Sequence, residues 1–311
     1  MRELVLAALG LSMLVSPAPG RAAAANVSDP PMCGTRTIPP PTYGHVVWIF
    51  LENHGFGSII GSPDAPFINK TLAAQCGLAT NAHNITHPSL PNYIAATSGL
   101  GLGALGRFKS DCNATGGCVT RAASIFAQAP SWGSYEESMP KPCTHWFTGP
   151  YAASHNPAVY YRALPDCALH DVGYRQLQSD LDADTLPAFV FVTPDMCHSM
   201  HNCSVATGDA WLAHAVRKLV ASPAYQTGTM AIFVTFDEGE KGGSDRCAHN
   251  THDAGCHIPL LVVSPYTPPG TRSRTLVNHY ALLRTTEEML GISTYLGRAK
   301  AAPSMRAAFN L

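Results

Sequence analysis

Four apolar runs stand out along the chain and share one composition. They are rich in Val, Ile and Phe, they do not alternate with polar residues, and they cover residues 45–50, 187–193, 230–236 and 257–264. Runs of this kind are typical of strands that are buried on both faces, as in a parallel sheet packed between helices. The pattern therefore predicts an α/β fold, a three-layer α/β/α sandwich with a mostly parallel central sheet.

Stretches with helical periodicity lie between or after these runs. They cover approximately residues 65–76, 91–98, 209–221 and 279–290. Gly208 and Asp209 have the character of a helix start. Asn278 is a suitable N-cap for the last helix, and Gly291 is suited to end it.

Two segments differ in composition from the rest of the chain. Residues 26–43 are rich in Pro, Ser and Thr, which predicts an irregular N-terminal lead. Residues 100–170 are rich in Gly, Cys, Pro and aromatics, which predicts a long excursion braced by disulfides. We find no linker that would divide residues 44–311, and we therefore expect a single domain there.

The first 25 residues have the pattern of a signal peptide. Arg2 supplies a positive charge, residues 4–15 are apolar, and residues 22–25 are small, as in a cleavage zone. The apolar part is too short to span a bilayer comfortably, although a membrane anchor is the alternative interpretation. We therefore expect an exported protein without a stable membrane anchor.

The chain contains ten cysteines, all of which follow the predicted signal peptide. An even number of cysteines in an exported protein favours disulfides, and no CxxC pair indicates a zinc site. The sequence does not determine the connectivity. Proximity along the chain suggests the pairs Cys112–Cys118, Cys143–Cys167, Cys197–Cys203 and Cys247–Cys256, with Cys33–Cys76 remaining.

Composition excludes some classes of partner. The chain is 46% hydrophobic, which is enough for a large core, and only 13% charged. The formal net charge is -1, so there is no global electrostatic basis for binding a nucleic acid polymer or an anionic membrane. The sequence does not indicate an oligomeric state.

Polar side chains follow three of the predicted strands. The first strand runs into Glu52 and Asn53, the second into Asp195, and the third into Asp237 and Glu238. In open α/β sheets, sites form beyond the carboxyl ends of the strands. Oxygen ligands of this kind suit a hard divalent cation, although turn and helix-cap roles are the alternative for any single pair.

The segment THPSLPNYIAATSG, residues 86–99, leads from a polar cluster into a small, apolar helix. One interpretation is an ordinary N-cap, in which Ser89 accepts backbone N–H groups and Pro91 occupies the first turn. The other is a phosphate site, because a helix N-terminus offers free N–H groups and a positive dipole. The segment alone does not decide between them.

Histidine is the second candidate for chemistry. The chain has 14, and many of them lie in polar loops. A single histidine is more often a surface or packing residue than a catalyst. The segment PDMCHSMHNC differs, because two histidines and an aspartate lie beside cysteines that could close the loop.

Taken together, these motifs resemble one family of secreted phosphoesterases. The segments that carry the resemblance are ENHGF after a strand, SLPN at a helix start, Asp237–Glu238 after a late strand, SYEESMP, SHNPAVYY, HNCSVATGDAWL and NHYALLRTTEEMLGI. The family includes bacterial acid phosphatases and phospholipase C-type enzymes, within the alkaline phosphatase superfamily. The resemblance covers residues 44 to 295 and implies an alkaline phosphatase-like catalytic domain over residues 44–311.

The resemblance implies a role for each candidate residue. Ser89 matches the hydroxyl nucleophile, and Asn92 matches an amide that holds a phosphoryl oxygen. His155 and His201 match histidines on the leaving-group side. The remaining matches are Glu52, Asn53, Asp237 and Glu238 as metal ligands. Asp195 departs from the pattern, because it stands where many relatives carry Asn, and we take it as a further ligand or a residue that supports the ligands. His87 and His257 are further candidates for a supporting role.

The resemblance also bears on the cofactor. Alkaline phosphatases carry Asp-His where this chain has Asp237 and Glu238, and Asp where it has Glu52. This difference favours one harder divalent ion, such as Ca, Mg or Mn, over a pair of zinc ions. The ion would activate the serine hydroxyl, which is a poor nucleophile by itself.

The resulting functional expectation is an exported, metal-dependent phosphomonoesterase of the acid phosphatase type, acting through a phosphoseryl intermediate. Its substrate would be a small-molecule or lipid phosphate ester. A phospholipase C-type or nucleotide phosphodiesterase is the alternative; because the chain ends soon after the helix at 279–290, we favour the monoesterase. A catalytically silent binding module on the same scaffold is the alternative from another class.

Overall fold

A nine-stranded sheet runs through the protein in the computed structural model, which describes residues 31–240 and 244–311. The predicted signal peptide over residues 1–25 lies outside the described residues. The strands are β1 (His45–Leu51), β2 (Gly77–His83), β3 (Trp132–Glu136), β4 (Asp171–Gly173), β5 (Phe189–Thr193), β6 (Met230–Phe236), β7 (His257–Val263), β8 (Arg272–Ser273) and β9 (Val277–Asn278).

The strand order is β4-β3-β5-β1-β6-β7-β2-β8, and β9 pairs with β2. All neighbours are parallel except β7, which runs antiparallel to both β6 and β2. The central strands β1, β5 and β6 are fully buried apart from the first residue of β1, as their continuous apolar sequences predict. The α/β fold with a mostly parallel central sheet is therefore confirmed.

Helices connect the strands. They are α1 (Phe56–Ile59), α2 (Ser89–Ser98), α3 (Leu102–Leu105), α4 (Ile125–Gln128), α5 (Cys167–His170), α6 (Gln176–Asp182), α7 (Val205–Val220), α8 (Pro223–Gln226), α9 (His279–Met289) and α10 (Arg306–Phe309), with a π-helical segment over Ile68–Ala73 and several 3₁₀ turns. None of the helices in the described part of the chain is both long and apolar enough to cross a bilayer.

Helices α2 and α9 contact each other over one face of the sheet. Two aromatic residues of the central strand β1 face them. The Trp48 indole donates to Thr286 Oγ1 of α9 at 2.9 Å, and the Phe50 ring lies 5.3 Å from the ring of Tyr93 in α2. The helix that begins at Ser89 is therefore packed directly against the strand that ends before Glu52.

Most predicted elements are present, and the differences have local causes. The four apolar runs form β1, β5, β6 and β7, but the segment 100–170 also contains β3, which its mixed sequence WGSYE does not reveal. Helix α7 begins at Val205 rather than near Asp209, because the Ser204 side chain caps it by accepting from Thr207 N. Asp209 instead accepts the backbone N–H groups of Phe67 and Ile68.

The predicted boundaries of the last helix are confirmed. Asn278 Oδ1 accepts from the backbone N–H groups of Tyr280 and Ala281, as an N-cap does. Gly291 follows the helix with φ of 72°, a left-handed conformation that favours glycine. Residues 31–43, at the described end of the N-terminal lead, contain no helix or strand.

All ten cysteines lie in the described part of the chain, and all are paired. The five pairs are those that proximity along the chain suggests, and this hypothesis is confirmed. They are Cys33–Cys76, Cys112–Cys118, Cys143–Cys167, Cys197–Cys203 and Cys247–Cys256. Zinc coordination by cysteine is thereby excluded.

Two carboxyl groups are buried at the edge of the sheet formed by β3 and β4. Glu136 Oε1 accepts from Ser134 Oγ and Thr193 Oγ1, and both Asp171 oxygens lie 2.9 Å from Asn156 Nδ2. Burial raises the pKa of Glu136 well above its usual range, and the neighbouring Asp171 raises it further. Burial also raises the pKa of Asp171 to about 7.

The raised pKa values predict a pH-dependent stability. A folded carboxyl that keeps its proton where the unfolded chain loses it stabilises the fold at low pH, and this contribution is lost as the pH rises above about 4.3. Glu136→Gln, which keeps the acceptor oxygen but cannot ionise, should flatten this dependence.

Thermal unfolding of both proteins between pH 4 and pH 8 measures the effect. The melting temperature of Glu136→Gln should rise relative to that of the unaltered protein toward pH 8. Each kcal/mol of difference in the free energy of unfolding shifts the melting temperature by about 2–4 °C. A difference that does not change with pH would contradict the prediction. Because the buried histidines titrate equally in both proteins, they do not affect the difference.

Candidate active site

The ends of β1 and β6 bring the predicted metal ligands together. The two strands pair in parallel with Leu51 beside Phe236, so that Glu52 and Asp237 follow at the same edge of the sheet. Asp237 N donates to Leu51 O at 3.0 Å, which extends the pairing by one residue. Glu52, Asp237 and Glu238 are all buried.

Asn53 links the two strand ends. Its backbone has φ of 56°, a left-handed conformation that Asn tolerates better than most residues. This turn directs its N–H to Asp237 Oδ1 at 3.0 Å, while its side-chain amide donates to Glu52 Oε2 at 3.2 Å. Asn53 therefore holds both carboxylates in place.

Two buried oxygens at this point have no hydrogen-bond partner among the described residues, namely Asn53 Oδ1 and Asp237 Oδ2. Buried polar atoms almost always have a hydrogen-bond partner, so these two oxygens require an explanation. Burial raises the pKa of Glu52 well above its usual range, with a further increase from the charge of Asp237. Burial also raises the pKa of Asp237 well above its usual range, and the charge of Glu238 raises it further. A divalent cation bound by these oxygens would relieve both effects, and the oxygen-rich set fits a hard ion.

Ser89 faces these carboxylates from the first residue of α2. Its Oγ donates to Glu52 Oε2 at 3.1 Å, and only 5% of the residue is exposed. The N-cap of α2 is Pro88, and no side chain caps the helix from that position. The interpretation of Ser89 as an ordinary N-cap is therefore wrong, because its hydroxyl is directed to the carboxylate.

Asn92 has a different set of partners from the one that the resemblance implies. Its Oδ1 accepts from Ile85 N and Thr86 N, and its Nδ2 donates to Thr86 O and Pro88 O at distances between 2.8 and 3.1 Å. Both donor hydrogens and both acceptor positions are thus used. In this structure, Asn92 holds the loop that leads into the helix and has no free position for a phosphoryl oxygen.

His155 lies against Glu52. It is buried, and its Nε2 is 3.3 Å from Glu52 Oε1. Tyr93, one helical turn beyond Ser89, donates its hydroxyl to the same oxygen, and its ring stacks on that of His155 with centroids 5.5 Å apart. Tyr93 is a site residue that the sequence analysis missed, although its spacing of four residues from Ser89 places both on one helical face.

The other histidines have distinct surroundings. The ring of His201 is partly exposed, lies 5.9 Å from that of His155, and bonds to the Asn202 side chain at 2.8 Å. His87 Nδ1 is 2.8 Å from Glu238 Oε2, so it supports a proposed ligand. His257 stacks between Phe56 and His83 at the start of β7 and bonds to Thr80 O.

Asp195 fixes the loop that carries His201. Its Oδ1 accepts from Cys197 N and His198 N, and its backbone N donates to Glu137 Oε2. Glu137 Oε2 also bonds to His198 Nδ1, and its Oε1 accepts from Trp211. These carboxylates are satisfied by protein groups, which distinguishes them from the pair of unpartnered oxygens beside Glu52.

A sequence model of the family described as the phosphoesterase family matches residues 62–293. The matched range contains Ser89, Asn92, Asp237 and Glu238 but begins after Glu52 and Asn53. The pairing of β1 with β6 places the residues after both strands at one edge of the sheet, and the residues after β6 also lie within the family match.

Two curated proteins illustrate the similarity. A phosphatidylinositol-3-phosphatase of Mycobacterium tuberculosis is 32% identical over 265 residues, which is 84% of this chain and 82% of that protein. A phosphate-repressible acid phosphatase of Penicillium chrysogenum is 27% identical over 82% of this chain. The chain spans 61% of the length of the Penicillium protein.

Solved structures support the fold. A protein of the alkaline phosphatase superfamily from Vibrio parahaemolyticus matches with a TM-score of 0.54 and 14% identity, over 92% of this chain and 77% of that one. A phosphonate monoester hydrolase from Silicibacter pomeroyi matches with a TM-score of 0.54 and 13% identity, over 86% of this chain and 76% of that one. At these identities the likeness concerns the fold alone.

The contacts of Asn92 predict a structural cost for its removal. Asn92→Ala leaves the buried N–H groups of Ile85 and Thr86 without acceptors, so the free energy of unfolding should fall by at least about 2 kcal/mol. Asn92→Asp, which retains the acceptor oxygen, should recover part of the loss. Denaturant unfolding measures both variants, and Asn81→Ala, which removes a more exposed amide, is the control. If Asn92→Ala unfolds at the same denaturant concentration as the unaltered protein, the structural role is contradicted.

Proposed function

Because the chain belongs to the phosphoesterase family and is a phosphoric ester hydrolase, we propose that it is an exported, metal-dependent acid phosphatase that hydrolyses phosphate monoesters through a phosphoseryl intermediate. One observation carries the proposal. The Ser89 hydroxyl, at the first residue of α2, bonds to Glu52 beside two buried oxygens that have no hydrogen-bond partner in the described part of the chain. A serine held at a helix N-terminus beside a cation-binding oxygen cluster is suited to attack a phosphate.

Four residues would hold the metal ion. Glu52, Asn53, Asp237 and Glu238 offer carboxylate and amide oxygens, which favours Ca, Mg or Mn over Zn. The unpartnered Asn53 Oδ1 and Asp237 Oδ2 support this assignment. When bound, the ion would lower the pKa of the serine hydroxyl and neutralise charge on the phosphoryl group.

Ser89 would act as the nucleophile. Its Oγ forms a bond to phosphorus while the bond from phosphorus to the ester oxygen breaks. Glu52 Oε2 accepts the hydrogen bond of the hydroxyl and is therefore positioned to receive its proton. The dipole at the start of α2 would favour the negative charge that develops on the phosphoryl oxygens. Leu90 N already donates to Asp111 Oδ1 and Pro91 has no N–H, so those two positions offer no backbone donor to the phosphate.

His201 is suited to protonate the leaving alcohol, because its ring is partly exposed and lies 5.9 Å from that of His155, which contacts Glu52. In the second half of the reaction, a water molecule attacks phosphorus, the bond to Ser89 Oγ breaks, and inorganic phosphate leaves. The serine oxygen regains the proton that Glu52 received, and His201 recovers a proton from the attacking water, which returns the enzyme to its starting state.

The names of the relatives support one class of substrate. The M. tuberculosis relative is a phosphatidylinositol-3-phosphatase, and the fungal relatives are acid phosphatases. These names support a small-molecule or lipid phosphate monoester as the substrate. A panel of p-nitrophenyl phosphate, bis-p-nitrophenyl phosphate and phosphatidylcholine tests this, and preferential hydrolysis of either diester would instead assign a phosphodiesterase or phospholipase C activity.

Export is supported by the cysteines. Ten cysteines that are fully paired suit an oxidising compartment, because disulfides rarely persist in the cytosol. The predicted signal peptide would direct the chain there. Amino-terminal sequencing of the protein from culture medium tests both points, and a protein that stays inside the cell would argue against export.

The first prediction for this function concerns the nucleophile. Ser89→Ala removes the attacking oxygen without removing a helix cap, so the fold should survive and kcat should fall by at least about 10³-fold. Steady-state hydrolysis of p-nitrophenyl phosphate measures the loss. Ser98→Ala is a matched control, since it deletes a buried hydroxyl at the other end of α2. Turnover near that of the unaltered protein would remove Ser89 from the mechanism.

A second prediction concerns the metal. Removal of divalent ions with a chelator should abolish turnover, and Ca, Mg or Mn should restore it. Ion binding should also raise the melting temperature, because the ion binds only the folded site. Asp237→Asn should weaken both effects, whereas Asp245→Asn, an exposed carboxylate paired with Lys109, should change neither. Full activity in protein shown by elemental analysis to be metal-free would refute metal dependence.

A further inference from the structure

The two oxygens of Glu52 have different partners. Oε2 accepts from Ser89 Oγ at 3.1 Å and from Asn53 Nδ2 at 3.2 Å, so it faces the proposed reaction site. Oε1 points away from Ser89 and contacts the Tyr93 hydroxyl and His155 Nε2. Every one of these partners except Asn53 is buried.

We propose that Tyr93 and His155 are positioning residues, a clamp that holds Oε1 of Glu52 so that Oε2 faces Ser89 and is available to a metal ion. The proposal rests on the proposed function, because it gives the two residues a task in metal binding. The resemblance implies that His155 acts on the leaving group. The clamp instead assigns His155 to the orientation of the metal ligand Glu52.

Tyr93 is suited to this task by its place on α2. With 3.6 residues per turn, positions 89 and 93 lie on one face of the helix, and their hydroxyls reach the two oxygens of one carboxylate. The Tyr93 ring is fixed by the core, since it lies 5.3 Å from Phe50 and 6.1 Å from Phe191. The clamp therefore sets the rotation of α2 as well as the orientation of Glu52.

His155 is held from three sides. Its backbone N donates to Ala152 O, its carbonyl accepts from Thr193 Oγ1, and its ring stacks on Tyr93 at an angle of 11°. These contacts direct Nε2 to Glu52 Oε1 at 3.3 Å. An Nε2 that lies 3.3 Å from a buried carboxylate oxygen is committed to that contact and not to a leaving oxygen.

The general acid role and the clamp differ in what they predict for different leaving groups. Loss of a general acid slows poor leaving groups much more than good ones, because only poor ones need the proton. Loss of a positioning residue weakens metal binding and slows all leaving groups alike. Outer residues that orient metal ligands typically contribute about 10–100-fold in affinity or activity.

The experiment uses Tyr93→Phe, His155→Leu and His155→Gln, with Tyr160→Phe as the control. Tyr160→Phe removes the same atom from another buried tyrosine, whose hydroxyl donates to Cys112 O at 2.6 Å. Mn²⁺ binding is measured by calorimetry, and kcat/KM is measured for phenyl phosphates whose leaving groups span a range of acidity. Circular dichroism reports whether each variant folds.

Tyr93→Phe and His155→Leu should each weaken Mn²⁺ binding by about 10–100-fold and lower kcat/KM equally for all leaving groups. His155→Gln, whose amide can donate from a similar position, should recover most of the binding, and Tyr160→Phe should bind Mn²⁺ normally. If Tyr93→Phe does not fold, the comparison of the two His155 variants decides the question.

Unchanged Mn²⁺ binding in His155→Leu, together with a loss of activity that grows as the leaving group becomes poorer, would overturn the clamp and restore the general acid role. In that case the proposed function would stand. Absence of Mn²⁺ binding in the unaltered protein, with activity that survives chelation, would instead overturn metal dependence and the clamp with it.

Discussion

The parallel pairing of β1 with β6 determines where negative charge is buried in this protein. With Leu51 beside Phe236, both strands end at the same level, and the buried carboxylates of Glu52, Asp237 and Glu238 follow at the same edge of the sheet. Charges that are removed from water must be compensated by nearby groups, because an unpaired buried charge is strongly destabilising. Much of the surrounding structure provides this compensation.

The compensating groups come from elements that are far apart in the sequence. Helix α2 contributes Ser89 and Tyr93, a 3₁₀ turn contributes His155, and the loop before α2 contributes His87, which bonds to Glu238. Within residues 31–240 and 244–311, Asn53 Oδ1 and Asp237 Oδ2 have no hydrogen-bond partner. The protein donors therefore satisfy only part of this oxygen cluster, which is the arrangement expected where a cation completes the site. Asn92 serves the same end indirectly, because it fixes the loop that brings α2 to the carboxylates.

The sequence predicts the elements that are determined locally and misses those that depend on tertiary contacts. The runs that form β1 and β6 are apolar enough to be recognised by themselves, and so are the carboxylates that follow them. Strand β2 has the sequence GLATNAH, which lacks β-branched aliphatic residues, and it exists through its pairing with β7. The same limit applies to the side chains. The residue type indicates what Asn92 or His155 can do. Only the folded chain shows that Asn92 Nδ2 donates to a backbone carbonyl and that His155 Nε2 lies against Glu52.

The loops around the site are restrained covalently rather than by regular backbone pairing. Cys197–Cys203 closes the loop that carries His201, and Cys112–Cys118 follows Asp111, whose carboxylate accepts from Leu90 N at the start of α2. Each of these bridges spans only 6 residues, so each acts mainly on local loop entropy and adds little to the long-range connectivity of the fold. The sheet, whose strands are held by hydrogen bonds and a large apolar core, does not depend on them. Oxidation of these two cysteine pairs thus bears more on the order of the loops around the candidate site than on the fold, whereas Cys33–Cys76 and Cys143–Cys167, which span 43 and 24 residues, close much longer loops and are expected to add more to stability.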